Sequence, residues 1–339
     1  MSKVIVDYAK CDSVANLIKS YMIPTDKEEP TNINLPADVT KNFYFMLVAI
    51  CHQTTPLVGQ PLTGYINSKQ YRGFDYLREK LLNVVSNDNS IVYPDRLSKI
   101  TGEDIIELLR DEKGESKISD PDGRARLLND MGAKMESIGW TSIQDIYDLS
   151  EGFVASENGR GLYNILSNFE AYSDPVKKKS SYLFSIMKNE KFWSFNDDDK
   201  LLPPVDYHET RLALRQGTIK IVDKDLRRKI LNKEEVTQDE DIEIRRSVQD
   251  AMVYIGRNTG FSHAKLHYYF WNHARNCCSR YSPHCFVHPD NDTLPERYSN
   301  RNLQMFNHPS GCVIGSVCDS KGLPNEMKPV DHKVNTHFY

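Results

Sequence analysis

Hydrophobic residues recur at helical spacing along most of the chain. The apolar positions within 3–21 predict one helix, and the almost uniformly apolar run 37–55 predicts a second one that is buried on all sides. The same periodicity predicts further helices at 71–85, 105–109, 123–135, 142–149, 160–172, 223–232 and 261–276. Strand patterns are rare, and the best are at 219–222 and 312–314. The predicted fold class is therefore mainly α.

Capping signals indicate where two of these helices begin. Thr101 is a suitable N-cap, with Asp104 in the first turn of the helix that follows. Thr237 and Glu240 have the spacing of a capping box and open a long helix that stops near Gly260.

Composition and charge narrow the class of protein. The chain has 339 residues, 39% hydrophobic and 27% charged, which is ordinary for a soluble globular protein of one large domain or two packed lobes. Its net charge of −4 gives no general attraction to nucleic acid. No window reaches the roughly 18 apolar residues of a membrane span, and the N-terminus lacks a signal-peptide pattern. We therefore expect a cytoplasmic protein with no membrane partner.

Two prolines precede a carboxylate at the predicted N-terminus of a helix. Pro203 and Pro204 fix the chain just before Asp206, and apolar residues then return it to a core. The helix dipole keeps a carboxylate ionised there, where it can face a cleft. Asp206 is therefore the candidate catalytic residue, and the alternative is a purely structural N-cap.

Three consecutive lysines follow the dipeptide Asp174-Pro175. An N-cap aspartate and a proline at the first helical position predict a helix that starts there and runs through Met187. Backbone amides, the positive end of the helix dipole and three ammonium groups predict a phosphate site at Lys177, Lys178 and Lys179. A solvated basic turn explains the same residues.

Five of the seven cysteines lie in the C-terminal part of the chain. Six residues separate Cys278 from Cys285, and five separate Cys312 from Cys318. Four thiolates in two pairs suit tetrahedral zinc or an iron–sulfur cluster. The remaining candidate ligands are Cys277, as an alternate, and His284, His288 and His308.

The metal prediction also defines a domain boundary. We predict a helical domain at 1–276 and a cysteine-rich loop and tail at 277–339, whose apolar content is too low for folding without metal. Unligated cysteines in a polar tail are the alternative. Cys11 and Cys51 lie on apolar faces and are expected to be small core residues.

These elements resemble the helix-hairpin-helix base-removing glycosylases, first in their endonuclease III-like DNA glycosylase branch. The similar segments are the run Phe45 to Thr55 with Gln53, the lysine hairpin 174–181, and the catalytic segment 205–211. Many of those enzymes carry a C-x6-C-x2-C-x5-C loop that holds a [4Fe–4S] cluster. The outer spacings match here, whereas the middle gap is 26 residues. The resemblance implies a two-lobed helical fold and a cluster, with zinc as the alternative.

The chain also resembles the queuosine salvage proteins, which hydrolyse the base–ribose bond of a 7-deazaguanine nucleotide. The motifs follow in order from Asn42-Phe-Tyr-Phe45 through Gly73-Phe-Asp-Tyr-Leu77, Asp206-Tyr207, Glu243-Ile-Arg245 and Tyr268-Tyr-Phe-Trp271 to the aromatic C-terminus. Met46 stands where that family has tryptophan, and a cysteine loop is not a hallmark of the family.

Both resemblances imply cleavage of an N-glycosidic bond. A carboxylate beside the sugar stabilises the cationic transition state and positions water, which is the role assigned to Asp206. Lys179 lies where lyase-active DNA enzymes keep a Schiff-base lysine, although a phosphate contact is the simpler role. The resemblance implies substrate-binding roles for Asn42, Phe43, Phe45, Tyr207, His208, Glu243 and Arg245, with core packing, a structural hydrogen bond or a helix ion pair as their alternatives.

Three functions follow from these predictions. The first is an N-glycosidase acting on a modified-purine nucleotide or nucleoside. The second is a DNA glycosylase, against which the acidic net charge and the absence of a Gly-x-Gly hairpin argue. The third is a non-catalytic nucleotide- or nucleic-acid-binding protein with a structural metal.

Overall fold

The computed structural model describes residues 2–20, 33–156, 158–281, 283–286 and 312–339. This part of the chain is mainly helical with little sheet, as predicted. In chain order its strands and α-helices are β1 Val4–Val6, α1 Tyr8–Ser20, α2 Ala37–Ala49, β2 Thr63–Ile66, β3 Lys69–Arg72, α3 Phe74–Asn87, α4 Pro94–Leu97, α5 Gly102–Leu108, α6 Pro121–Ile138, α7 Ile143–Leu149, α8 Leu162–Leu166, α9 Lys178–Asn189, α10 Tyr207–Gln216, β4 Ile219–Ile221, α11 Lys224–Asn232, α12 Gln238–Thr259 and α13 His263–Asn276.

The chain divides into two compact units. The first unit is Met1–Glu28 with Leu202–Asn335, and the second unit is Glu29–Leu201 with Thr336–Tyr339. The C-terminal cysteines belong to the same unit as α10, α12 and α13. The division therefore falls within the predicted domain 1–276, and it does not separate the cysteine residues from the last helices.

The first unit is built around a two-stranded antiparallel sheet and long helices. Val4 pairs with Ile221 and Val6 with Ile219, which confirms the predicted strand at 219–222. The prediction of one helix over 3–21 was wrong for residues 4–6, since the β-branched run Val4-Ile-Val6 pairs as a strand and α1 begins at Tyr8. Buried residues from α1, α10, α12 and α13 join these strands in one hydrophobic core.

Helix caps in the first unit follow the sequence signals. The Thr237 hydroxyl accepts a hydrogen bond from the Glu240 amide, and the Glu240 carboxylate accepts one from the Thr237 amide. This box opens α12, which ends at Gly260 in the left-handed conformation that glycine adopts without steric cost.

The second unit surrounds α2, which is buried on every face as predicted. The helix ends at Ala49 rather than near Thr55. Its last carbonyls accept hydrogen bonds from buried cations, because Lys179 donates to Ala49 and Arg124 donates to Ile50 and His52. β2 and β3 form a hairpin, and the predicted Thr101 cap is confirmed as a capping box with Asp104.

Other predicted elements also differ in the structure, and the helix predicted at 71–85 begins at Phe74, after the strand Lys69–Arg72. α9 begins at Lys178 rather than at Asp174, because the Asp174 carboxylate accepts hydrogen bonds from the amides of Val176 and Lys178 and holds the chain in a turn. The predicted strand at 312–314 is wrong, since Val313–Ser316 forms a 3-10 helix. Among the described residues, no helix combines the length and apolar character needed to cross a membrane.

Candidate functional site

A compact group of metal-ligating side chains lies at the C-terminal end of α13. His273 and Cys277 are four residues apart, so they share one face of the helix. Cys312 approaches the same face, with its Sγ 3.3 Å from Nε2 of His273. One ligand atom from each of the three residues lies within 4.8 Å of the other two. This group can hold a metal ion.

The remaining C-terminal cysteines line the same cavity. It is bordered by Cys277, Cys278, Cys285, Cys312 and Cys318 together with His273. The Cys312 amide donates a hydrogen bond to the Cys285 carbonyl, which joins the two cysteine segments. The structure thus brings together all four predicted ligands and the alternate Cys277.

The sequence analysis missed His273 as a ligand. The signal that points to it is the His-x3-Cys spacing on one predicted helix, which puts both ligand atoms on one face. The predicted mixed ligand His284 contacts the site through its backbone, since its amide donates to the Cys277 carbonyl with 2.8 Å between N and O. His288 and His308 lie outside the described residues.

The thiols differ in their readiness to lose a proton. The Cys277 thiol lies beside the Cys312 sulfur, and this neighbour, together with His273, lowers the pKa of Cys312. The proximity of Cys312 and burial raise the pKa of Cys277 well above its ordinary value, and the Cys277 thiol donates to the His284 carbonyl with 3.7 Å between S and O. Burial raises the pKa of Cys318 to about 12 and also raises that of Cys285. A cation in the cavity would favour the thiolate form of each cysteine.

Basic groups surround these sulfurs. Nη1 of Arg215 lies 3.2 Å from Sγ of Cys278, and the Cys318 thiol donates to the Arg215 carbonyl across 3.2 Å. Lys321 and Lys328 also line the cavity, whereas no carboxylate does so among the described residues. Such a donor set suits zinc or an iron–sulfur cluster, because calcium and magnesium prefer oxygen ligands and a thiolate centre is anionic.

Asp206 is the N-cap of α10. Its Oδ1 accepts a hydrogen bond from the His208 amide across 2.7 Å, and its own amide donates to Oε2 of Glu209 across 3.0 Å. Oε1 of Glu209 lies 2.9 Å from Nδ1 of His267 on α13. The carboxylate is 7% exposed. The structural cap considered as the alternative is thus present, and it fixes the carboxylate in one orientation.

The three predicted phosphate-binding lysines lie in the second unit. Lys177 adopts a left-handed conformation with φ of 62° and precedes α9, whereas Lys178 and Lys179 are buried. Lys179 donates to Ala49, and Nζ of Lys178 lies 4.0 Å from Sγ of Cys51. Asp174 accepts the amides of Val176 and Lys178, and the ammonium groups of Lys178 and Lys179 contact protein atoms, so phosphate binding stays a prediction.

The predicted base-binding residues of α2 are packed inside the second unit. Oδ1 of Asn42 accepts the Ile143 amide across 2.9 Å at the start of α7. The Phe45 ring stacks on Tyr172 with 5.1 Å between centroids, and Phe43 is fully buried. Phe43 and Phe45 therefore have packing roles, whereas Nδ2 of Asn42 is buried with no hydrogen-bond partner among the described residues.

The two predicted residues of α12 have separate structural partners. Oε1 of Glu243 accepts the amides of Lys3 and Val4, which fastens β1 to the helix. Arg245 is buried, and its Nη2 lies 2.9 Å from Oδ2 of Asp241. Oδ1 of the same aspartate lies 2.7 Å from Nε2 of His332. Glu243 and Arg245 therefore have partners other than each other.

Tyr207 and His208 continue the chain from Asp206 into α10. The Arg280 guanidinium lies over the Tyr207 ring, 4.7 Å from its centroid. Nδ1 of His208 lies 3.0 Å from Nη2 of Arg211. Asp206, Tyr207, His208 and the predicted metal ligands thus all belong to the first unit.

No protein-family model matches the chain, and no curated protein matches it significantly.

Proposed function

We propose that the cysteine-lined cavity holds a [4Fe–4S] cluster on the thiolates of Cys278, Cys285, Cys312 and Cys318. The proposal is supported by the convergence of these side chains on one cavity from two separate segments. The surrounding basic groups, Arg215, Lys321 and Lys328, would balance the negative charge of a thiolate-bound cluster.

Zinc is the alternative metal. It is favoured by the compact His273, Cys277 and Cys312 group, because a nitrogen and two sulfurs are a common partial zinc ligand set. When bound, either centre supplies a cross-link that joins the end of α13 to the segment around Cys312, and part of the binding free energy is folding free energy.

We propose that the protein is an N-glycosidase in which Asp206 is the catalytic carboxylate. The observation that carries this proposal is the fixed orientation of a buried carboxylate at a helix N-terminus. The helix dipole favours its ionised form, and an anion held in that way can stabilise a sugar that becomes cationic as the base departs.

The substrate class follows from the resemblance to queuosine salvage proteins. The proposed substrate is a modified-purine nucleotide or nucleoside of the 7-deazaguanine type. As the bond between the base nitrogen and C1′ breaks, its electron pair leaves with the base. A water oriented by Asp206 adds its oxygen to C1′, and its proton is transferred to the departing base, which gives free base and a hydroxyl sugar.

A base-release assay tests this function. Purified protein is incubated with queuosine monophosphate, and free base is detected by mass. We expect Asp206→Asn to reduce release by about 100-fold or more, because the anion at the sugar is lost. Asp239→Asn, at an exposed position of α12, is the matched control and should keep full activity. An Asp206→Asn protein with undiminished release would overturn the assignment.

A DNA glycosylase with lyase activity is the second candidate. It is favoured by Lys179, because burial lowers the pKa of this residue to about 7, so that a large fraction is the neutral amine that Schiff-base chemistry requires. This function predicts base release from duplexes with damaged bases, a steep decrease of binding with salt, and borohydride trapping that Lys179→Met abolishes. The third candidate is a non-catalytic binding protein. It predicts tight ligand binding without turnover, and the same binding affinity in the Asp206→Asn variant.

A further inference from the structure

We infer that the metal centre sets the position of α10 and therefore of Asp206, so that loss of the metal displaces the carboxylate. This inference rests on the proposed metal centre and, for the role of Asp206, on the proposed N-glycosidase function, and it is argued from contacts within the first unit. α10 carries Asp206 at its N-terminus and two buried arginines, Arg211 and Arg215, along the same helix.

Arg215 fastens the C-terminal end of α10 to the first cysteine pair. Its guanidinium donates to the Ser279 carbonyl across 2.7 Å and to the Arg280 carbonyl across 2.9 Å, in addition to its contact with Sγ of Cys278. Its Nε donates to the Pro329 carbonyl, beyond the last cysteine, across 2.7 Å. The side chain thus joins the segments on both sides of the cavity.

The backbone of Arg215 contacts the second cysteine pair. Its carbonyl accepts the Ser320 amide across 3.1 Å. It also accepts the Cys318 thiol, a hydrogen bond that Cys318 would give up on binding metal as a thiolate. The last turn of α10 is therefore enclosed by residues whose positions a metal on Cys278 and Cys318 would fix.

The side chain of Arg211, which lies nearer to Asp206, also contacts the first cysteine segment and the end of α13. Its Nε donates to the Cys278 carbonyl across 3.0 Å and its Nη2 to the Ala274 carbonyl across 2.9 Å. Its Nη1 pairs with the buried carboxylate of Asp331 across 3.0 Å. Arg211 is one turn from the start of α10, so the end of α13 determines where that start lies.

A third contact links α13 to the capping box itself. Glu209, which accepts the Asp206 amide, also lies 2.9 Å from His267. His267 belongs to the same helix as His273, and Cys277 is the C-cap of that helix. Movement of α13 at its metal-binding end would therefore be transmitted to both ends of α10.

Removal of the metal weakens these contacts for a physical reason. Without the cross-link, the segments around Cys278 and Cys318 are no longer held together, so the carbonyl and sulfur acceptors of Arg211 and Arg215 are free to move apart. A buried guanidinium that loses its acceptors is strongly destabilised, so α10 must shift or fray.

Hydrogen–deuterium exchange of the full-length protein, with its metal and after chelation, tests the inference. We expect peptides of α10 to exchange about 10-fold or more faster without metal, as the loss of one or two hydrogen bonds to a charged donor implies. α12, whose buried Asp241 pairs with Arg245 and His332, should keep its protection. Unchanged exchange of α10, or equal loss of protection in α12, would overturn the inference.

Arg215→Lys provides a second test in the metal-loaded protein. An ammonium cannot span the sulfur and carbonyl acceptors that the guanidinium contacts, so we expect faster metal release to a chelator and faster exchange of α10. Arg246→Lys, at an exposed site on α12, is the control and should change neither. Equal release and exchange in both variants would contradict the inference. The exchange result is independent of catalysis, so an absence of base release would reject the proposed function alone.

Discussion

Nε2 of His273 and Sγ of Cys312 lie 3.3 Å apart, which joins α13 to a segment that follows the undescribed residues 287–311. This contact joins the segment that carries Cys312 to the end of the helix that precedes Cys278, so both cysteine pairs line one cavity. It also contributes to the lowered pKa of Cys312, whose sulfur lies beside both the Cys277 thiol and His273. The metal centre is therefore the best-defined candidate site of the described chain.

Removal of the Cys312 sulfur should abolish metal binding. We expect Cys312→Ser to lose most of its bound metal, because this residue belongs both to the four-thiolate set and to the His273 group. Cys11→Ser is the control, since Cys11 lies in the hydrophobic core. Metal per chain is measured by elemental analysis, and equal metal content in the two variants would exclude Cys312 as a ligand.

Two substitutions of Asp206 distinguish its capping role from its proposed catalytic role. Asparagine is as good an N-cap as aspartate, so Asp206→Asn should change the free energy of unfolding by less than about 1 kcal/mol while it removes base release. Asp206→Ala should lose activity and also about 1 kcal/mol of stability. Denaturant unfolding of the three proteins measures this, and a marked loss of stability in the asparagine variant would argue against the separation.

The buried network around Asp241 should contribute strongly to stability. Asp241→Asn leaves the fully buried Arg245 without its carboxylate, and we expect a loss of about 3–5 kcal/mol. The exposed Asp239→Asn is the control, expected to change stability by less than about 0.5 kcal/mol. Because His332 and Arg245 hold the pKa of Asp241 well below its ordinary range, its contribution is present at neutral pH and is lost as pH falls through that lowered pKa. Similar unfolding midpoints for the two variants would contradict the prediction.

Lys179 should make stability rise with pH. Burial lowers its pKa from 10.5 to about 7, so between these values the unfolded chain holds a proton that the folded chain lacks. Stability then increases by up to about 1.4 kcal/mol per pH unit in this window. Lys179→Met should remove that slope in urea unfolding, whereas Lys188→Met at an exposed position of α9 should retain it. An unchanged slope in Lys179→Met would show that the residue stays charged in the fold.

The sequence predicted local features well. Caps at Thr101 and Thr237, the buried helix α2 and the strand β4 all follow from side-chain chemistry within a few residues of each element. The strand β1 was missed because its partner lies far along the chain, and apolar residues next to a helix look like more helix. The start of α9 was predicted too early because the Asp174 carboxylate caps a turn that includes Lys177, and the helix begins only at Lys178.

The sequence predicted the cysteines of the candidate metal site, but it did not predict His273 or the arginines that contact the cysteine segments. Cysteine spacing points to a metal without knowledge of the fold. His273 was missed because one histidine in an aromatic helix gives no signal until Cys312 is placed beside it. The buried partners of Arg211 and Arg215 likewise depend on tertiary contacts, which sequence periodicity does not contain.

We propose above all that Cys278, Cys285, Cys312 and Cys318 hold a metal centre. Anaerobic purification of the full chain, followed by visible absorption and by iron, zinc and acid-labile sulfide analysis, tests it most directly. We predict a brown protein with about four iron and four sulfide per chain, or, for the alternative, a colourless protein with about one zinc. A colourless protein with no stoichiometric metal would contradict the account.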